Sequence, residues 1–87
     1  MQYRVNPAFI VQKIGKKTGV YDAEKSVMHT FNDSAGYIFL GLQLQWSKDK
    51  IVEKLMEKYK VKKNVAQTDL ETAMEDMMKK KILLKEE

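Results

Sequence analysis

The spacing of apolar and polar positions changes near residue 32. Before this point, short runs rich in β-branched and aromatic residues predict three antiparallel strands, at residues 8–14, 20–21 and 26–31. After it, apolar residues recur at helical spacing in three segments between about residues 33 and 80. The pattern predicts a single α+β domain over residues 1–87, in which a three-stranded antiparallel sheet is followed by three helices. This order is compatible with a small winged helix-turn-helix-like domain, and the apolar residues 82–84 are expected to pack back onto it.

Polar residues at the expected helix starts are candidate caps. Asn32 or Asp33 precedes the first helix and Ser47 precedes the second, and their side-chain oxygens are suited to accept from first-turn N–H groups. The third helix has two possible starts, because capping-box patterns begin at both Asn64 and Thr68.

Two glycines lie within the first predicted helix, at Gly36 and Gly41. Each costs about 1 kcal/mol relative to alanine in a helix interior, so packing must offset the loss. Gly36 has an alternative explanation, in which it allows another backbone segment to approach closely.

The composition restricts the chemistry of the chain. It has no cysteine, which excludes disulfides, thiolate metal sites and cysteine nucleophiles. It has one histidine, and neither a metal-ligand spacing, a glycine-rich phosphate loop nor a nucleophile elbow is evident. No apolar stretch is long enough to cross a bilayer, and no signal-peptide core follows Met1. We therefore expect a cytoplasmic, unprocessed chain that is not an enzyme and needs no cofactor or metal.

The formal net charge of +4 raises the question of nucleic-acid binding. The excess is spread evenly, because residues 1–47 and 48–87 each carry a net charge of +2. The three lysines at 79–81 form the only basic run, at the end of a predicted helix, where cations complement the helix dipole. A winged-helix nucleic-acid-binding regulator remains the alternative function, and the positive charge also suits attraction of an acidic peptide.

The third predicted strand has an edge that its sequence does not block. Residues 26–31 contain neither proline nor lysine, and a three-stranded sheet has unpaired N–H and C=O groups at its edges. Such an edge binds an extended peptide by strand addition, or pairs with a second copy of the chain to form a homodimer. His29, in the middle of this strand, is interpreted as packed against the sheet, with a place in a peptide groove as the alternative.

Other side chains have both a structural and a functional interpretation. Asp69, Glu75 and Asp76 fall on one predicted helix, where a solvated acidic face is favoured over general acid–base catalysis. Trp46 lies between the first two helices and is expected to fill their junction. In the alternative, Trp46 and Leu44 are exposed anchors through which the domain docks on an enzyme purely as a subunit.

From Tyr21 onward, a series of short motifs occurs along the chain. In order they are Tyr21-Asp22, Val27-Met28-His29-Thr30-Phe31-Asn32, Ala35, Ile38-Phe39, residues 51–59 with Val61, Thr68-Asp69-Leu70, Met77-Met78 and residues 82–84. Their order resembles that of the PqqD-like family, a peptide-binding domain also called the RiPP recognition element. The resemblance covers roughly residues 9–84, nearly the whole chain.

This resemblance implies a non-catalytic module that binds the leader segment of a ribosomally synthesised precursor peptide. In the family the leader lies as an added strand on the third strand, beside the third helix, and is presented to a modifying enzyme, often a radical S-adenosylmethionine protein. Carried over to this sequence, the peptide-binding edge consists of Val27, Met28, His29, Thr30 and Phe31. The helix wall of the groove, chosen by helical spacing, consists of Asp69, Thr72, Ala73 and Asp76.

The chain departs from the family pattern at three places where the family often has glycine. These places lie before the third strand, between the first two helices and before the last aliphatic cluster. Here they hold Lys25 with Ser26, residues 43–45, and Lys81. In addition, Phe31 and Phe39 stand where the family has leucine and tryptophan.

Overall fold

The computed structural model describes residues 2–86, with side chains described for residues 3–85. The elements along the chain are β1 (Gln2–Val5), β2 (Phe9–Ile14), β3 (Lys17–Asp22), β4 (Val27–Thr30), α1 (Asp33–Gln43), α2 (Lys48–Tyr59), α3 (Lys63–Lys79) and β5 (Leu83–Glu86). Strands β2, β3 and β4 form an antiparallel sheet in that order, and β1 pairs with β5 in a separate ribbon. The predicted three-stranded sheet followed by three helices is confirmed.

The β2–β3 hairpin is tighter than the sequence pattern indicates. Its pairing extends to Ile14 and Lys17, which leaves Gly15 and Lys16 in the turn. Gly15 has a φ of +64°, as the first position of a type II′ hairpin turn requires. The predicted second strand at residues 20–21 is therefore too short, because β3 already begins at Lys17.

Asp22 shapes the turn that leads into β4. Its carboxylate is buried and accepts hydrogen bonds from the backbone N–H groups of Glu24 (3.0 Å) and Lys25 (3.2 Å). Local hydrogen bonds of this kind are a main reason for the preference for aspartate in turns. They fix the path by which the chain enters β4.

Four residues other than glycine adopt left-handed backbone conformations at connections between elements. They are Ser26 (φ +53°) before β4, Gln45 (φ +60°) between α1 and α2, Lys60 (φ +56°) between α2 and α3, and Lys81 (φ +62°) before β5. Ser26, Gln45 and Lys81 stand at places where the family that the sequence resembles often has glycine, which adopts this conformation without a steric penalty. The backbone shape is therefore present here without glycine.

The β1–β5 ribbon is absent from the sequence-based prediction. Its strands pair along their whole length and join the two ends of the described chain. Beside the ribbon, the Asn6 side chain donates to the carbonyl of Lys81 (2.8 Å), and its backbone N–H donates to the carbonyl of Ile82 (2.8 Å). Ile82 and Leu83 are buried. The apolar tail thus packs onto the domain as expected, and part of it does so as a strand.

The first two predicted helix caps are confirmed, whereas the third is wrong. Asn32 accepts from a first-turn N–H of α1, and Ser47 does so for α2. Helix α3 begins after Lys62, which makes no side-chain cap hydrogen bond. Thr68 lies inside α3, where its hydroxyl donates to the carbonyl of Asn64 (2.9 Å). The connection between α2 and α3 comprises residues 60–62, and α3 begins directly after it without a side-chain cap.

The two glycines of α1 have different roles. A Cβ atom on Gly41 would lie 2.8 Å from the ring of Trp46 and 3.0 Å from the side chain of Ile51, so packing requires glycine there. Around Gly36 the nearest atoms are side-chain atoms at 3.8 Å. The close backbone approach considered for Gly36 does not occur, and the contact that offsets the helix penalty is at Gly41.

The buried apolar side chains form one core between the sheet, the ribbon and the helices. Its members are Phe9, Val20, Phe31, Ile38, Phe39, Leu42, Ile51, Val52, Leu55, Ala66, Leu70, Met74, Met77, Ile82 and Leu83. Trp46 packs against this core and meets the ring of Tyr37 edge-on at 6.0 Å, as its position between α1 and α2 predicts. Leu44 remains 57 % exposed. Among the described residues, none of the helices combines the length and apolar character that crossing a membrane requires.

Candidate functional site

Strand β4 forms an edge of the sheet, and in the described chain it pairs with β3 alone. The backbone N–H of Phe31 donates to the carbonyl of Thr18, at the start of β3 (3.0 Å). In an antiparallel ladder, successive residues alternate. The backbone N–H and C=O groups of one residue bond to the neighbouring strand, and those of the next residue point away from it. His29 therefore bonds towards β3, and Met28 and Thr30 direct their backbone groups outward. Two N–H and two C=O groups face the open edge.

The side chains at this edge differ in exposure. Three of the five predicted edge residues expose their side chains to solvent: Val27, Met28 and Thr30. His29 is half-buried and stacks on the ring of Phe9, with 6.2 Å between the ring centroids. Phe31 is buried and packs against Phe39 at 5.1 Å. The interpretation of His29 as packed against the sheet is confirmed.

The four residues predicted for the helix wall all lie on α3. Asp69, Thr72 and Asp76 are exposed, whereas Ala73 is half-buried. The carboxylate of Asp76 forms an ion pair with Lys80 at 2.9 Å. Within residues 2–86, β4 and α3 make no extensive contact with each other.

A shallow cleft lies where β4 passes into α1, and we call it the Asp69 cleft. It is lined by Lys17, Asn32, Asp33, Ser34, Tyr59, Val61 and Asp69. Of the predicted site residues, Asp69 alone is among these. The cleft therefore connects the start of α1 with the predicted helix wall.

A second cleft of about 400 Å³ lies between the β2–β3 hairpin and α1. Four lysines line it, namely Lys13, Lys16 and Lys17 from the hairpin and Lys58 from α2, and we call it the lysine cleft. Sequence reasoning missed this feature. The closely spaced lysines at 13–17 were a partial signal, but Lys58 joins them only when the chain folds.

The acidic residues that the sequence singles out on α3 lie on the exposed surface of that helix. No group of three or more histidine, aspartate and glutamate side chains is suitably placed for a metal ion in the part of the chain that the structure describes. Asp69, Glu75 and Asp76 are all exposed. This is the solvated acidic face that their spacing predicts.

Two solved structures share this fold. One, described as "Lasso peptide synthetase B1 complexed with the leader peptide", has a TM-score of 0.90 at 19% identity and covers 98% of this chain and 100% of that chain. Another, described as "TbiB1 in Complex with the TbiA(beta) Leader Peptide", has a TM-score of 0.87 at 14% identity, with coverages of 97% and 98%. At these identities the likeness establishes the class of fold, a small α+β domain with an open-edged sheet.

The sequence then identifies the family. The profile of the family described as "Coenzyme PQQ synthesis protein D (PqqD)" matches residues 18–83, from β3 to the first residue of β5. The chain therefore belongs to the PqqD family, and the resemblance of its motifs to that family is confirmed. No curated protein matches the chain in sequence.

Proposed function

We propose that this chain is an adaptor that captures the leader segment of a ribosomally synthesised precursor peptide and presents it to a modifying enzyme. The observation that carries the proposal is the open edge of β4, where Met28 and Thr30 direct backbone groups away from β3. An added strand satisfies these groups with main-chain hydrogen bonds. Such bonds supply affinity, while alternate side-chain pockets supply specificity.

Membership of the PqqD family supports this function. Both solved structures with the same fold are described as complexes with leader peptides, which supports the same class of ligand here. No comparison supports the alternative of a nucleic-acid-binding regulator.

The proposed peptide site has two sides. The edge consists of Val27, Met28, His29, Thr30 and Phe31, with the buried ring of Phe31 supporting it from the core. The opposite wall consists of Asp69, Thr72, Ala73 and Asp76 on α3. The exposed carboxylates of this wall favour basic or hydrogen-bond-donating side chains on the part of the peptide that faces α3.

The adaptor has no catalytic role of its own in this proposal. The peptide is handed to a separate modifying enzyme, of which a radical S-adenosylmethionine protein is one class, and the pair operates in the cytoplasm. The edge of β4 also offers a homodimer contact in the absence of peptide. Because both uses need the same backbone groups, added peptide should dissociate such a dimer in sedimentation measurements.

Replacing Met28 with proline tests strand addition directly. Proline removes the N–H at residue 28, which points away from β3, so the β3–β4 ladder keeps its own hydrogen bonds. Any short open reading frame found beside the gene for this chain supplies the candidate peptide, which is titrated into ¹⁵N-labelled protein. We expect amide shifts along Val27–Thr30 for the native protein and about tenfold weaker binding for Met28→Pro, since a partner carbonyl is left unpaired.

Met28→Val is the matched control, because it changes the side chain and keeps the N–H. It should retain most of the affinity if main-chain bonds dominate. Binding of the peptide without shifts in β4, or equal affinities of the proline variant and the native protein, would contradict strand addition at this edge.

A further inference from the structure

The lysine cleft is a strongly charged concave surface of the described chain. Lys13, Lys16, Lys17 and Lys58 line it, and Asp33 is the only carboxylate among its lining residues. Its lining also includes apolar side chains, among them the exposed Leu40 and the buried Phe39. A cationic rim around an apolar floor suits a ligand group with a short hydrocarbon stem and a negative end.

The lysines of this cleft are not neutralised by the protein itself. Among residues 2–86, none of the four forms an ion pair with a carboxylate within 4.0 Å. Lys58 is positioned by aromatic rings instead, with its ammonium 5.0 Å from the ring centroid of Tyr37 and 5.9 Å from that of Tyr59. Cation–π contacts leave the outward N–H donors of an ammonium free for an anion.

The hydroxyl of Tyr59 is a second unused donor at this site. It is buried and has no hydrogen-bond partner in the described structure, although Tyr59 lines both the lysine cleft and the Asp69 cleft. Burial, followed by the charge of Asp33 and the neighbouring Tyr37, raises the pKa of the Tyr59 phenol above its usual 10.0. The group is therefore protonated at neutral pH, and a small movement of the side chains around it would let it donate to an acceptor that enters the cleft.

The lysine cleft is continuous with the proposed peptide site. It shares Lys17, Asn32, Asp33 and Tyr59 with the Asp69 cleft, which lies where β4 passes into α1. A peptide that leaves the edge of β4 at its Thr30 end reaches the shared residues first, Lys17 among them, and the other three lysines next. The basic surface thus lies beyond one end of the strand-addition edge.

We propose that the lysine cleft binds the carboxylate of an aspartate or glutamate in the precursor peptide, just beyond the segment that adds to β4. The inference rests on the proposed function and specifies part of its ligand. Lys13 and Lys58, which line the cleft from the hairpin and from α2, attract the carboxylate. The Tyr59 hydroxyl donates a hydrogen bond to it, and Leu40 contacts its methylene groups.

The probe for this site is blocked triglutamate, acetylated and amidated so that only side-chain carboxylates are charged. It is titrated into ¹⁵N-labelled protein at low ionic strength, where exposed charges are least screened. We expect shifts at the amides of residues 13–17 and 36–37. The variant Lys13→Gln/Lys58→Gln should bind about tenfold more weakly, while Lys79→Gln/Lys85→Gln, which removes the same charge outside the cleft, should bind like the native protein.

Three results would overturn the proposal. They are the absence of shifts around the cleft, an equal loss of affinity in both double variants, and stronger binding of inorganic phosphate at the same amides. The second result would indicate general charge attraction, and the third a phosphoryl ligand.

The outcome is separable from that of the proposed function. If the leader peptide still shifts the amide signals of β4 in Lys13→Gln/Lys58→Gln, and binds this variant with unchanged affinity, strand addition is supported and the carboxylate site is refuted. If Met28→Pro has no effect, strand addition fails, and the triglutamate titration still decides whether the cleft binds carboxylates.

Discussion

Replacing Tyr59 with phenylalanine should make the protein more stable and at the same time weaken its binding of acidic peptide. The hydroxyl is buried without a hydrogen-bond partner in the described structure. Its removal leaves the ring in place, where it meets Tyr37 edge-on at 6.4 Å and lies 5.9 Å from the ammonium of Lys58. The substitution therefore deletes a desolvated donor and keeps the packing.

The size of the effect follows from the cost of an unmade hydrogen bond. A buried polar group without a partner costs about 1–3 kcal/mol. Tyr59 is only partly buried as a residue, so we expect a gain near the lower limit, about 1 kcal/mol. For a domain of this size, such a gain raises Tm by about 4–8 °C. The same deletion removes one hydrogen bond to a bound carboxylate, which should weaken triglutamate binding about tenfold.

Urea unfolding followed by the fluorescence of Trp46 measures the first quantity, and the amide titration with triglutamate measures the second. A loss of stability in Tyr59→Phe would show that the hydroxyl has a partner, and the argument from an unpaired donor would then be wrong. A gain in stability with unchanged triglutamate affinity would support the conclusion that the hydroxyl is unpaired, but it would show that the hydroxyl does not contact the bound carboxylate. Tyr37→Phe is the control, because it removes a neighbouring hydroxyl that also lies beside the cleft.

Three further predictions concern pH and the backbone. The native state raises the pKa of the Tyr59 phenol above 10.0, so it holds this proton more tightly than the unfolded chain does. The free energy of unfolding should therefore fall as pH rises through about 10. The fall should be steeper in the native protein than in Tyr59→Phe when urea unfolding is compared between pH 9 and 11. Gly36→Ala should stabilise the protein by about 0.5–1 kcal/mol, since a Cβ fits there, whereas Gly41→Ala should destabilise it by about 1–3 kcal/mol through overpacking. Gln45→Gly and Lys81→Gly should each raise the free energy of unfolding by about 0.5 kcal/mol. Glycine relieves the left-handed strain of the folded chain, and this gain should exceed the cost of the extra freedom that glycine gives to the unfolded chain. A lower free energy of unfolding in both variants would contradict this expectation.

The parts of the fold that depend on residues close to one another in the sequence were predictable from the sequence. The side-chain caps at Asn32 and Ser47 act within one helical turn, and the apolar spacing of α1 to α3 repeats within each helix. The β1–β5 ribbon depends instead on pairing between opposite ends of the described chain. Its four-residue strands carry too little local pattern to distinguish a strand from a terminal extension.

The family resemblance carried backbone information that the residue types alone do not. Ser26, Gln45 and Lys81 have no strong preference for left-handed conformation, and only the frequent glycines of related chains mark these places as special. All three are left-handed in the structure. The fold therefore imposes these conformations, and the departures from glycine change the stability expected of each connection rather than its shape.

The distribution of charge shows why the ligand was harder to predict than the fold. Counted along the chain, the net charge of +4 appears diffuse, but folding brings Lys58 to the lysines of the hairpin, while Asp69 and Asp76 lie exposed on α3. The open edge of β4 offers donors and acceptors alike, so hydrogen bonding alone accepts an added strand in either direction. The lysine cleft lies beyond the Thr30 end only. Under the proposed function, a carboxylate at one end of the leader would therefore select the direction in which the peptide binds, and with it the end that is presented to a modifying enzyme.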